Sequence, residues 1–194
     1  PLDMRMDPTG SLKAEDIVND ADEAELTKIF REYGEEPKAT FVARAIVRER
    51  SLNRIDSTAR LADIISKAIR YKTKSKKHPA TRVFQALRIA VNDELGELRR
   101  LISDAFDCLR VGGRLAIISF HSLEDRLVKR GFAELSGQTK RANLPKGLPI
   151  TDSELRATDR GRVIRPYPIT PKDAEIKANP RARSAKLRVI EKLR

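Results

Sequence analysis

The chain has 194 residues, 40% of them hydrophobic, enough for one ordinary buried core or a small core with a helical satellite, and so for one or two domains. Its 40 Lys and Arg against 28 Asp and Glu leave a net charge of +12, which favours a polyanionic partner, nucleic acid first, because each neutralised phosphate releases condensed counterions. No stretch approaches the roughly twenty apolar residues of a membrane span, no secretory leader opens the chain, and the single cysteine excludes an internal disulfide, so a soluble cytoplasmic protein is expected.

Residues 12 to about 70 read as short helices. Leu26, Ile29, Phe30 and Tyr33 recur at helical spacing, as do Phe41, Val42, Ala45 and Ile46, then Leu61, Ile64, Ile65 and Ala68. Gly34 ends the second helix, Pro37 opens the third and Ser57 precedes the fourth. A helix-turn-helix is permitted here, but a plain helical bundle is the commoner outcome. From Arg70 to Arg82 the chain carries only basic charges, either a solvated linker or a phosphate-contacting loop.

A second helical stripe runs from Phe84 through Leu87, Val91, Leu95, Leu98, Ile102 and Ala105 to Leu109, interrupted at Asn92, Asp93 and Gly96, so that two helices or one bent helix both fit. Cys108 falls in this stripe, where a small buried side chain is expected. After the Gly112-Gly113 turn, Leu115 to Phe120 is an apolar run too short for a helix, and a strand buried on both faces is expected. Ser122 then resembles a helix N-cap with an acid three residues on, which makes an α/β parallel-sheet unit. Residues 137 to 162 lack periodicity and read as a surface connection. Near the end, Ala185, Leu187 and Val189 alternate with Ser184, Lys186 and Arg188, the pattern of a sheet-closing strand whose apolar face is buried.

Metal chemistry has little support, since His78 and His121 lie in different predicted elements and no second cysteine exists. A triad of Ser122, His121 and Glu124 is opposed by the divergent directions of neighbours at a strand end. Ser119, Phe120, His121 and Ser122 stand out by position, at the C-terminal edge of a strand expected to be parallel, where open α/β sheets bind ligands and helix-terminal amides favour an anion. The plainer reading makes Phe120 core and Ser122 only a cap. No phosphate loop or G-x-G-x-x-G appears. The residues by themselves stop at a basic α/β protein that binds nucleic acid.

Five stretches carry a resemblance: Pro1–Asp7 (PLDMRMD), Lys77–Arg82 (KHPATR), Phe84–Leu95 (FQALRIAVNDEL), Ile118–Arg126 (ISFHSLEDR) and Asn179–Arg188 (NPRARSAKLR). In this order they resemble the signatures of the bacterial small-subunit ribosomal RNA cytosine-N4 methyltransferases, the MraW family. The resemblance implies the C-terminal part of a Rossmann-like class I methyltransferase domain with an inserted helical subdomain. It divides the chain into 1–11, an active-site rim segment; 12–76, the helical insertion; and 77–194, the C-terminal part of the methyltransferase domain. It further implies methyl transfer from S-adenosylmethionine to the exocyclic N4 of a cytidine within the small ribosomal subunit.

Family members carry the glycine-rich cofactor loop, the ribose-binding acid and an Asp-Leu-Gly-Val-Ser-Ser segment before the point that matches Pro1. The cofactor is therefore expected to be held mainly upstream, and this chain alone to be inactive. On this resemblance Phe120, His121 and Ser122 are expected to line the base side of the substrate pocket, with Asp3 and Arg5 on its rim. Lys76, Lys77, His78, Arg82 and Arg88 are expected to contact RNA, with Arg181, Arg183 and Lys186 as a second patch. Asn92, Asp93 and Glu94 either shape the helix break or touch substrate. The rival reading is a non-catalytic RNA-binding or ribosome-assembly module, and a dimer is among the open oligomeric states.

Overall fold

A computed structural model describes residues 1–69, 78–142, 157 and 159–194, which form two compact units, Pro1–Glu94 and Leu95–Arg194. The basic residues Arg70, Lys72, Lys74, Lys76 and Lys77, and most of the 137–162 connection, lie outside the described residues.

The first unit is helical: α1 (Ala14–Asp20), α2 (Glu23–Glu32), α3 (Ala39–Leu52), α4 (Thr58–Ile69) and α5 (Thr81–Val91). Two of the starts have a clear local cause. The Lys13 amide donates to Asp16 Oδ2 at 2.8 Å before α1, and Asp22 Oδ1 accepts the Glu25 amide at 2.7 Å to cap α2. Leu26, Phe30, Val42, Ile46, Leu61, Ile65, Val83 and Leu87 fill one core with Leu2, as the helical spacing predicts. Gly34 is required where α2 ends: a Cβ there would sit 2.7 Å from the carbonyl oxygens of both Phe30 and Arg82.

The interrupted stripe is two helices, α5 and α6 (Glu94–Cys108). The Asn92 amide group donates to the Arg88 carbonyl at 2.8 Å, competing with the helical ladder, and Asp93 turns the chain at φ +44°. Cys108 is exposed rather than buried. It lies two residues beyond the buried Phe106, roughly 200° around the helix at 3.6 residues per turn, and so faces away from the core.

In the second unit α6 is followed by β1 (Arg114–Ser119), α7 (Ser122–Leu135), α8 (Gln138–Ala142), β2 (Gly161–Val163), α9 (Asp173–Ala178), a 3₁₀ turn (Pro180–Ser184) and β3 (Lys186–Lys192). Several expectations are corrected. The strands pair antiparallel in the order β1-β3-β2, so the parallel unit expected around Leu115–Phe120 is not what the described residues form. Nor is β1 buried on both faces: Leu115 and Ile117 pack against the core, whereas Ile118 on the opposite face is 57% exposed. Among the described residues β1 has one paired neighbour, β3, and its apolar sequence exceeds what they cover. The 137–162 stretch is not all connection, since α8 and β2 fall inside it.

The last strand is central, not edge-closing, and its phase is the reverse of the apolar reading: Arg188 and Ile190 are buried while Leu187 and Val189 are half-buried. A single-residue shift of phase moves every side chain to the other face. It is tolerated because Asp125 neutralises the Arg188 charge inside the unit. The chain is thus a mixed helix and strand protein with one small sheet, and no helix among the described residues is long and apolar enough to cross a membrane.

Candidate functional site

In the first unit Asp3 and Arg5 are brought together. Arg5 Nε and Nη2 donate to the two Asp3 carboxylate oxygens at 2.7 Å each, and Nη1 donates to the carbonyls of Pro8 at 2.8 Å and Gly10 at 2.7 Å. One guanidinium thereby folds residues 3 to 10 around itself, a use of the planar fork that lysine does not match. The Arg5 hydrogen bond holds the Asp3 carboxyl at about 2, below its ordinary 3.8. Asn92 grips the same segment, accepting the Met6 amide at 2.7 Å and donating to the Met4 carbonyl at 2.9 Å. Met4, between the paired residues, takes φ +66°, which these contacts impose on a residue that ordinarily avoids it. Asn92 thus both breaks the helix and fastens the N-terminal segment, a role with no signal in its immediate neighbours.

In the second unit the end of β1 presents Phe120, 55% exposed, then the half-buried His121 and the exposed Ser122. The N-cap of α7 is His121, not Ser122: His121 Nδ1 accepts the Glu124 amide at 3.3 Å. Glu124 closes the capping box, its Oε2 accepting the amides of Phe120 at 2.8 Å and His121 at 3.2 Å. The anion site expected at this turn is therefore already taken by the chain's own carboxylate. Burial pushes the Glu124 carboxyl up, but the His121 side chain and these two amides outweigh it and leave the group below its ordinary 4.5. The other ring nitrogen, His121 Nε2, lies 3.2 Å from Glu124 Oε1.

Sequence reasoning missed the group behind this turn. Asp125, one residue past the capping box, receives Arg188 Nε at 2.7 Å and Nη2 at 3.0 Å, and Lys186 Nζ at 3.1 Å. Arg188 is only 4% exposed, and its guanidinium carbon lies 4.2 Å from the centre of the Tyr167 ring. Burial raises the Asp125 carboxyl, yet the hydrogen bonds from Arg188 and Lys186 prevail and hold it below 3.8. The pair fastens α7 to β3 immediately behind Phe120 and His121. Its members stand 63 residues apart, and only the charge at alternating positions of the last strand hinted at it.

The predicted RNA-contacting residues divide. In the first unit His78 is exposed, its Nδ1 accepting the Ala80 amide at 3.2 Å just before α5, and Arg82 is exposed on that helix. Arg88 is paired with Glu94 through Nε at 2.7 Å and Nη2 at 3.0 Å. In the second unit Arg181 and Arg183 are exposed on the 3₁₀ turn, whereas Lys186 is held by Asp125.

A model of the MraW methylase family matches residues 1–193. The chain is 52% identical over 192 residues to the ribosomal RNA small subunit methyltransferase H of Methylobacterium nodulans, an alignment covering 99% of this chain and 55% of that protein. It is 47% identical over 195 residues to the protein of the same name from Heliobacterium modesticaldum, and 46% over 194 residues to that from Clostridioides difficile, in each case across all of this chain and 61% of the relative. The chain thus spans somewhat over half the length of the curated relatives it matches.

Proposed function

This chain belongs to the MraW methylase family, and we propose that it is the substrate-side part of an enzyme that methylates the exocyclic N4 of a cytidine in small-subunit ribosomal RNA, in the cytoplasm, with S-adenosylmethionine as methyl donor. The observation that carries this reading is the family match along residues 1–193, joined by relatives named for small-subunit ribosomal RNA methylation. On this reading residues 77–194 belong to a Rossmann-like domain, residues 12–76 are a helical insertion, and residues 1–11 are a rim segment.

The turn from β1 into α7 does not fit the carboxylate of the cofactor. The turn from β1 into α7 is filled by Glu124, which occupies the amides of Phe120 and His121 and would repel a second carboxylate. We therefore assign cofactor binding to the part of such an enzyme that the relatives have beyond this chain, and derive no step through it.

What this chain supplies is a place for the base. The cytosine amine is a weak nucleophile because its lone pair is delocalised into the ring, so rate depends on holding it in line with the methyl group. A base must also leave its stack to be reached, and an exposed aromatic ring offsets that loss by stacking. Phe120, half exposed at the end of a strand, is the base-facing residue on this reading. His121 and Glu124 are positioning residues that fix the backbone beneath it, with Ser122 beside them. Asp3 and Arg5 brace the rim segment, and His78, Arg82, Arg181 and Arg183 contact phosphates.

The test uses the full-length protein and unmethylated small-subunit particles, with the methylated nucleotide mapped by mass spectrometry. Phe120→Ala should lower turnover by about 10- to 100-fold, since stacking contributes about 1–3 kcal/mol per base. His121→Ala should also lower it, and His121→Asn, which retains a cap-forming side chain, should recover most of the loss. Methylation at an atom other than cytidine N4, or unchanged turnover in Phe120→Ala, would overturn the reading.

A further inference from the structure

We propose that the groove between α6 and α7 is a docking surface for the phosphate backbone of RNA, with Arg99 and Arg130 as its contacts. The inference rests on the reading above that the substrate is RNA, and it assigns the contact to residues that the sequence patterns did not single out.

Arg130 lines the groove from α7 and Arg99 from α6, with Arg126 and Arg160 also in the lining. Against these four guanidiniums the groove has one carboxylate, Glu134. Arg99 and Arg130 are exposed. Arg160 is already committed, its guanidinium bonded to the Asp107 carboxylate and lying 5.4 Å from the Phe106 ring centre. It is therefore left out of the contact set.

The charge and packing of the lining decide the occupant. At Gly131 an added Cβ would come within 3.0 Å of Ile102 Cγ2, so the two helices close on one another there and Ile102 fills the space between them. The remaining lining is largely aliphatic, from Leu95, Ile102, Leu123, Leu127 and Leu135, a surface along which arginine stems pack while the charged heads stay in water. Four guanidiniums against one carboxylate receive a strand of phosphates better than the apolar face of a partner helix. Arginine forks also suit phosphate oxygens, which they engage in pairs.

The sign of the surface is local rather than a reflection of net charge. The groove beside α1 and α2 in the first unit is lined by Asp16, Asp20, Glu25 and Glu32 with the single cation Lys28. Two of the cations that the sequence patterns favoured, Arg88 and Lys186, are paired with Glu94 and Asp125. A chain of net charge +12 thus lines this groove with four guanidiniums against one carboxylate while leaving another acidic.

The experiment measures binding of a fluorescein-labelled single-stranded RNA by the full-length protein over a series of salt concentrations, alongside methyl incorporation into small-subunit particles. Arg99→Gln with Arg130→Gln should flatten the log-log salt slope by about 1.4, because each phosphate that an arginine neutralises on a single strand accounts for roughly 0.7. Arg44→Gln with Arg48→Gln, which removes the same charge from α3, should leave the slope unchanged. An unaltered slope in the groove variant, or an equal change in the α3 control, would sink the proposal. So would a groove that captures poly-glutamate while RNA binding stays intact, which would indicate an acidic protein partner. If the wild type methylates the particles and the groove variant keeps the wild-type slope, the groove alone is overturned. If the groove variant flattens the slope but the wild type methylates nothing, the enzymatic reading is overturned instead.

Discussion

The two units stabilise themselves by different means. Among the described residues, Pro1–Glu94 close one helical core cluster of nineteen buried apolar residues and bury one charged residue, Glu36. Those of Leu95–Arg194 cluster five buried apolar residues against a three-stranded sheet and bury Ser119, Asp125, Ser136, Asp159, Arg188 and Glu191. Where apolar area is short, paired charges give direction instead: Asp125 with Arg188, Asp159 with Arg141, and Glu191 with Arg114 and Arg162. Such pairs add little net stability compared with well-packed apolar groups, but losing one partner is costly because a buried charge is left alone. The unit that presents Phe120 and His121 is therefore the one whose geometry depends on single polar contacts.

The largest expected effect is in the helical unit. Phe30→Ala should cost about 4 kcal/mol, because it empties a fully buried ring site between helices. Urea unfolding of the full-length protein followed by hydrogen exchange should show α2 and α3 losing protection while the β1–β3 amides keep theirs. Simultaneous loss in both would break the contrast between the units.

Next comes Asp125→Ala, expected to cost about 3 kcal/mol by leaving the Arg188 charge buried without its carboxylate. Adding Arg188→Met to that variant should restore much of the loss, because the stranded charge is then gone. A loss below about 0.5 kcal/mol, the range of an ordinary surface change, would show that the pair is not what fastens α7.

The smallest effect sharpens the comparison through pH. Asp3 and Asp125 are both held below their ordinary 3.8, Asp3 at about 2. A depressed carboxyl contributes its full stability above the unfolded value and loses it as pH falls through the folded one. Acidification from about pH 4 toward pH 2 should therefore loosen the 3–10 segment and the α7–β3 tie. Nuclear magnetic resonance titration of the two carboxyls would check this, and midpoints at 3.8 or above would refute it. In the Arg5→Gln variant the Asp3 midpoint should return toward 3.8, since the Arg5 hydrogen bond is the main cause of its shift.

The sequence by itself determined the local pieces: four short helices before residue 70, the interruption at Asn92 and Asp93, the strand after Gly112-Gly113, and the family through its five stretches. These follow from periodicity, caps and breakers acting over a few residues, which a linear pattern records. Tertiary structure alone decided what depends on distant partners. It placed Arg188 inside because Asp125, 63 residues away, neutralises it, and it made His121 the cap because Glu124 returned to the strand-end amides. It also paired Arg88 and Lys186 with acids and left Arg99 and Arg130 exposed. Whether a charge is spent or available is a matter of which opposite charge the fold brings within about 4 Å, and no local pattern encodes that distance.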